Sequence, residues 1–205
     1  MEKEKIEYLM GSLAARNIDG YFFETFEEAK LRVMEMVPIN SSVGIGNSVT
    51  LKNMKISNEL SNRGNIVYDK TLSKSREEGK ELKMKSLLTD WYITGTNAIS
   101  LDGHLVNMDH SGNRVAAMLY GPNNVIVIIG INKITNNLDE AIYRVRNVAS
   151  PKNARRAGFN PPCVELEKCV DCKSTERVCN NLVIVEGQND KGRMKVFIIN
   201  ENDGF

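Results

Sequence analysis

Val125-Ile126-Val127-Ile128-Ile129 is an unbroken β-branched run. A strand with one wet face alternates apolar and polar residues. A run with no polar position reads as a central strand buried on both faces, the habit of parallel sheets covered by helices. The apolar stretch ends at Ile131, far short of the roughly 20 residues that a membrane-spanning helix needs. No membrane association is expected from it.

Elements on either side fit this strand into an alternating pattern. Ile6, Leu9, Met10, Leu13 and Ala14 recur at helical spacing. Thr25-Phe26-Glu27-Glu28 reads as a capping box before a helix carrying Ala29, Val33, Met36 and Val37, and Pro38 stops that helix. Ser42-Val43-Gly44-Ile45-Gly46 reads as a short strand entering a glycine turn, and one helix is expected over 47–63 with Gly64 ending it. Asn65 to Tyr68 and Trp91 to Thr94 read as strands, with a charged helix from Ser73 to Leu88 between them. Asp102-Gly103 suits a hairpin turn, Val115 to Leu119 a buried helix, and Leu138 to Val148 a helix bounded by Pro151.

Alternation of strands and helices predicts an α/β fold: a single domain with a mostly parallel open sheet, helices on both faces, and a C-terminal four-cysteine loop. Within residues 1–205 the expected regions are a helical N-terminal part over about 1–38, an α/β core over about 39–150, a cysteine-rich segment over about 151–180 and terminal strands over about 181–205.

Composition narrows the setting. With 205 residues, 41% hydrophobic and 26% charged, the chain can bury one sizeable core. A formal net charge of +1, with no long basic run, lacks the electrostatic footprint of a nucleic-acid-binding protein. The first residues, MEKEKIEYLMGSLAARN, have no apolar core of a signal peptide. The expected compartment is therefore the cytoplasm, where thiols stay reduced.

Ligands of open parallel sheets sit beyond the carboxyl ends of the strands, and two loops fall there. Gly44, Gly46, Asn47 and Ser48, with Thr50, form a strand-to-helix turn whose N–H and hydroxyl groups suit an anion. It is neither a P-loop nor a complete dinucleotide fingerprint, and no flavin or nicotinamide signature occurs. A tight turn with a capping serine is the equal alternative. The second loop carries Gly95, Thr96, Asn97, Asp109, Gly112, Asn113 and Arg114, where Asp109 and Arg114 offer a carboxylate and a fixed positive charge. Lys133 follows the central strand directly, placed to pair with an anion or, if desolvated, to act as a base. Asp109 and Lys133 are the only catalytic candidates, and no catalytic role is assigned. The bland alternatives are a capping Asp109, a surface-paired Arg114 and a solvated Lys133. Of the two histidines, His110 lies in the proposed site and His104 beside the hairpin turn; neither is given a catalytic role.

All four cysteines, Cys163, Cys169, Cys172 and Cys179, lie in one short stretch with spacings x5, x2 and x6. A disulfide framework suits a small secreted protein rather than a cytoplasmic chain of this size. Four reduced thiols suit a four-thiolate metal centre, with Lys168, Lys173 and Arg177 offsetting its charge. Zinc and a four-iron cluster both accept four cysteines, and the spacing matches neither a bacterial ferredoxin run nor a zinc ribbon. Free structural thiols or an oxidised pair are the other reading.

Gly44-Ile45-Gly46-Asn47-Ser48, Asp90 with Thr94-Gly95-Thr96-Asn97-Ala98-Ile99 and Asp102-Gly103, Asn107-Met108-Asp109 with Gly112-Asn113-Arg114-Val115-Ala116, and Gly130-Ile131-Asn132-Lys133-Ile134 together resemble the LUD (lactate utilisation) family. The resemblance continues through Arg144-Val145-Arg146, Pro151-Lys152-Asn153-Ala154, the cysteines and Glu201 to Phe205. It implies a fold like that of ribose-5-phosphate isomerases, glucosamine-6-phosphate deaminases and CoA transferases. It also implies a place among bacterial lactate-oxidation proteins whose partners carry iron–sulfur clusters. That context puts a 4Fe-4S cluster ahead of zinc for the cysteines and favours a binding role for Lys133. Where related sugar-phosphate isomerases carry an acid–base aspartate, this sequence has Asn97, and an amide does not shuttle protons at neutral pH.

Three functions follow as expectations. The first is a redox component of hydroxy-acid utilisation that binds a small anionic metabolite and works with iron–sulfur partner proteins. The second is a ligand-binding or regulatory module stapled by structural zinc. The third is a transferase or isomerase acting on a phosphorylated or CoA-linked metabolite. Self-association is compatible with each.

Overall fold

A computed structural model describes residues 3–205; Met1 and Glu2, where the expected helical N-terminal part begins, lie outside the described residues. In chain order the elements are α1 (Lys3–Ala14), β1 (Asp19–Phe23), α2 (Phe26–Met36), β2 (Ser42–Ile45), α3 (Val49–Asn53), α4 (Ile56–Arg63), β3 (Ile66–Asp69), α5 (Arg76–Lys85), β4 (Trp91–Thr94), β5 (Ala98–Ser100) and β6 (Leu105–Asp109). There follow α6 (Asn113–Leu119), β7 (Asn124–Gly130), β8 (Ile134–Thr135), α7 (Leu138–Arg144), α8 (Ser150–Arg156), α9 (Pro162–Leu166), β9 (Asn181–Val185) and β10 (Met194–Ile199).

Six strands form the main sheet in the order β1-β10-β7-β4-β2-β3, every pair parallel. The β-branched run Val125–Ile129 lies in β7, in the middle of that sheet, and its side chains divide as a doubly covered strand requires. Val125, Val127 and Ile129 join one core layer with Leu9 and Leu13 of α1 and Met118 of α6. Ile126 and Ile128 join the other with Val33 of α2 and Ile56 and Leu60 of α4. Each fully buried Ile or Val contributes about 1.5–3 kcal/mol of apolar transfer, so the two layers fix the register of β7.

The capping box at α2 forms with a change of partner. Thr25 Oγ1 accepts the Glu28 N–H at 3.2 Å, whereas the Glu28 carboxylate reaches back to the Glu24 N–H at 3.0 Å. Gly64 ends α4 with φ 105°, the left-handed conformation that glycine adopts without strain.

Several expectations are corrected. The N-terminal region is not helical throughout, because Asp19–Phe23 forms an edge strand between α1 and α2. The single helix expected over 47–63 is two, since Lys55 turns left-handed at φ 56° and separates α3 from α4. Pro151 does not bound α7. The helix runs on through a π-helical turn, Val145–Ala149, directly into α8, and Pro151 sits in the first turn of α8. Ser150 Oγ donates to the Val145 carbonyl at 2.7 Å, the same carbonyl that accepts the Ser150 N–H. The terminal strands are present over 181–185 and 194–199, in different sheets. β10 inserts between β1 and β7, while β9 joins β8, β5 and β6 in a second, four-stranded sheet. The hairpin turn at Asp102-Gly103 is present, with Gly103 at φ 86° joining antiparallel β5 and β6. Among the described residues no helix is long and apolar enough to cross a membrane.

Candidate functional site

Parallel strands deliver their following loops to one edge, and a crevice of ≈ 340 Å³ opens there. Asn47 and Ser48 follow β2, Lys70 follows β3, Gly95 to Asn97 follow β4, and Lys133 follows β7. Gly204 and Phe205, beyond β10, close the floor. Lys83 of α5 and Arg156 of α8 complete the rim. This is the crevice position expected of an open α/β sheet.

Lys133 is the deepest charge. It is 4% exposed, and its Nζ makes no hydrogen bond or ion pair among the described residues. Burial above all, with Arg144 and Arg114 adding and Asp203 opposing, lowers its pKa to about 8. A buried amine without a partner is costly unless an anion enters to meet it.

Arg114 is a different case. Its Nε donates to Asp109 Oδ2 at 3.1 Å, one terminal nitrogen to Gly95 O and Asn107 Oδ1, and the other to Asn97 Oδ1 at 3.0 Å and Met108 O at 2.9 Å. All five guanidinium donors are therefore occupied within the protein. Arg114 lines the crevice and lends it charge, but it organises the loop and has no free donor for a ligand. Asp109 is likewise engaged: Oδ1 accepts the Gly112 N–H at 2.8 Å and Oδ2 holds Arg114. It stands as an ion-paired cap rather than a free base. Asn97 Oδ1 accepts from both the Met108 N–H and Arg114, and the side-chain amide nitrogen of this crevice-lining residue makes no hydrogen bond among the described residues.

The glycines divide by role. Gly95 lines the crevice, with Ser48 Oγ 3.0 Å from where a Cβ would sit. Gly44 and Gly46 do not line it. A Cβ on Gly44 would lie 2.8 Å from the Tyr92 ring, and one on Gly46 would strike Thr94, so both are there for close packing. Gly112 caps α6 at φ 82° rather than lining the crevice, while Asn113 lines it. Thr96 is 2% exposed, and its hydroxyl lies 3.0 Å from Asn107 Oδ1. His110 reaches the crevice beside Phe159, whereas His104 lies outside it, held by Arg16 and Ser100.

Sequence reading missed Lys70, Lys83 and Arg156, which line the crevice from three separate elements. It also missed Arg144, which donates to Asn97 O and Asn132 O and so ties two crevice loops together. Asn132 in turn holds the Asp203–Gly204 segment through both amide atoms.

Behind the crevice all four cysteines face one small cavity with Arg146, Ser150 and Arg177. Met108 lines both spaces and forms the wall between them. The Asp171 N–H points at Cys169 Sγ at 3.5 Å, and Arg177 braces the loop through Cys172 O and Cys179 O. The thiols are free. Among the described residues, no group of three or more His, Cys, Asp or Glu stands as it is in an arrangement that holds a metal ion. The donor set and its two arginines suit a thiolate-bound metal; coordination requires the sulfurs to close on it.

Fold and site together define an α/β protein with a parallel six-stranded sheet and a cationic crevice at its carboxyl edge. The chain belongs to the LUD domain family, whose pattern it matches over residues 6–199. Among solved structures it is similar to a DUF162 family protein from Deinococcus radiodurans, with 14% identity, TM-score 0.54, and 96% of this chain and 95% of that chain covered. Ribose 5-phosphate isomerase A from Methanocaldococcus jannaschii follows with 16% identity, TM-score 0.36, and 65% and 68% covered. The Neisseria gonorrhoeae enzyme of that name has 16% identity, TM-score 0.36, and 78% and 74% covered. No curated protein matches the sequence.

Proposed function

We propose that this protein binds a small hydroxy-acid anion of the lactate class as a cytoplasmic component of a lactate-utilisation system. The observation that carries the reading is Lys133: a buried ammonium without a partner in a crevice that Asn97 and Ser48 also line. A carboxylate placed there gains a charge-assisted hydrogen bond from Nζ and neutral donors from the two flanking loops.

The second part of the proposal concerns the thiols. Cys163, Cys169, Cys172 and Cys179 would hold a metal centre, a four-iron cluster ahead of zinc because the family is associated with iron–sulfur partners. A cluster would supply one-electron chemistry. Arg146 and Arg177 would offset thiolate charge, and Met108 would separate the centre from the bound anion.

The test is a thermal-shift and calorimetric panel of lactate, glycolate and pyruvate on protein purified without oxygen, with Lys133→Met alongside. Stabilisation by hydroxy acids that disappears in Lys133→Met is expected. A panel without effect on the wild type would overturn the reading.

A further inference from the structure

The crevice carries more positive charge than a monocarboxylate can use, and the charge is divided between two corners. Lys133 occupies the floor, where its charged neighbours are Arg144, Arg114 and Asp203. Lys70 occupies the rim, where its charged neighbours are Lys83, Arg156, Asp109 and Asp69. The two sets share no member, and they adjoin at the Arg114–Asp109 ion pair, 3.1 Å apart.

At the rim, three cations from three separate elements converge without an ion pair among the described residues: Lys70 after β3, Lys83 on α5 and Arg156 at the end of α8. The nearby carboxylates are engaged elsewhere. Asp109 is paired with Arg114, and Asp69 accepts from Ser57 Oγ, the Thr71 N–H and Thr71 Oγ1. Arg156 is itself oriented over the crevice by Asn153 Oδ1 at 2.7 Å. Three like charges gathered on one side of a concave site, Lys70 and Lys83 half-buried and Arg156 exposed, repel one another. Such an arrangement persists where a multiply charged anion relieves it.

We infer that the crevice takes a two-headed anion, a phosphomonoester that also bears a carboxylate, with the carboxylate at Lys133 and the phosphoryl group at Lys70, Lys83 and Arg156. The inference rests on the proposed pairing of Lys133 with a carboxylate and adds a second subsite to it. A phosphomonoester carries about −1.5 to −2 charges near neutral pH and three acceptor oxygens. It therefore matches a corner of three cations, as a lone carboxylate does not. A phosphorylated hydroxy acid satisfies both corners at once. The gain comes from joining two weak anion sites in one molecule, so the second contact is made at high effective concentration.

Calorimetric titration of the full chain tests this with four probes: L-lactate, inorganic phosphate, 2-phospholactate and 3-phosphoglycerate. At least one phosphorylated hydroxy acid should bind tenfold or more tightly than either lactate or phosphate alone. The double variant Lys70→Ala/Arg156→Ala should abolish that advantage while lactate binding persists, and Lys83→Ala should reduce it. These three side chains lie at the crevice rim outside the core, so the variants fold. Lactate binding that the phosphoryl group does not improve would overturn the second subsite and leave the first reading standing. Failure of all four probes to bind would overturn both.

Discussion

Lys133 and Gly204 meet at the crevice floor: a Cβ built on Gly204 would lie 3.1 Å from Lys133 Nζ and 3.2 Å from Thr50 Oγ1. The Lys133 amine and the chain segment beyond β10 therefore share one small space, and Asn132 and Asn53 hold that segment through Gly204 O and the Asp203 carboxylate. Gly204 has φ 66°, a conformation costing a residue with a side chain roughly 1–2 kcal/mol. Gly204→Ala should weaken carboxylate binding several-fold by displacing Nζ, and lower the melting temperature by only a few degrees. Isothermal titration beside a melting curve separates the two effects. Unchanged affinity would mean that the carboxylate does not reach the floor.

The charge on Lys133 also predicts a pH dependence with a definite sign. Its pKa falls from 10.5 to about 8 on folding because burial disfavours the ammonium, which corresponds to roughly 3 kcal/mol against the charged form. Between pH 8 and 10.5 the unfolded chain holds more protons at this site than the folded one, so its contribution to stability rises with pH across that window. Below pH 8 the folded state carries the full cost of a buried charge. Lys133→Met should accordingly be more stable than the wild type at pH 7, with the difference shrinking towards pH 10. Anion affinity should run the opposite way, falling as pH rises past about 8. Urea denaturation of both proteins at several pH values checks the first, and titration of the wild type the second; a difference that grows with pH would contradict the assignment.

Arg114 makes the contrary prediction, because its role is internal. Removing it leaves the Asp109 carboxylate without its counter-charge and takes one donor each from Asn107 Oδ1 and Asn97 Oδ1. Breaking a buried pair of this kind costs about 3–5 kcal/mol. Arg114→Ala should lose stability on that scale by chemical denaturation, and Arg114→Lys should recover only part of it, since an ammonium cannot serve all five fork contacts. Normal stability with lost ligand binding would instead make Arg114 a ligand residue.

How legible these features were in the sequence depends on whether the signal was local. The β7 run, the Thr25 cap and the Gly64 stop are written in adjacent residues, and each formed. The strand Asp19–Phe23 lacks such a mark: it is short, half-buried throughout and defined by pairing with β10, more than 170 positions away in the chain. The same holds for β10, whose place between β1 and β7 is set by long-range packing. Pro151 carried a real local signal, but the helix passes it through a π-helical turn, Val145–Ala149, instead of stopping. Position at a strand end places Lys133, Asn97 and Ser48 in the lining of one crevice. Residue type alone could not distinguish Arg114, with every donor occupied, from Lys70 or Arg156, which gain meaning only when α5 and α8 fold over the sheet edge.

The cysteine cavity gives the last prediction. If the four thiols hold one metal centre, protein purified without oxygen carries metal in proportion to chain, and Cys172→Ser loses most of it. The loop from Glu167 to Cys179 has little apolar burial of its own beyond Val178, so its order would depend on the metal, and the same variant should melt several degrees lower. Lys173→Ser, a neighbouring exposed change, should do neither. Iron with acid-labile sulfide and a broad visible band would identify the cluster; colourless protein with one zinc per chain would identify a structural centre. Because Met108 is the wall shared with the crevice, metal loss should also alter anion affinity at Lys133. Wild-type protein free of metal, with a Cys172→Ser variant that melts at the same temperature, would reduce the four cysteines to ordinary thiols.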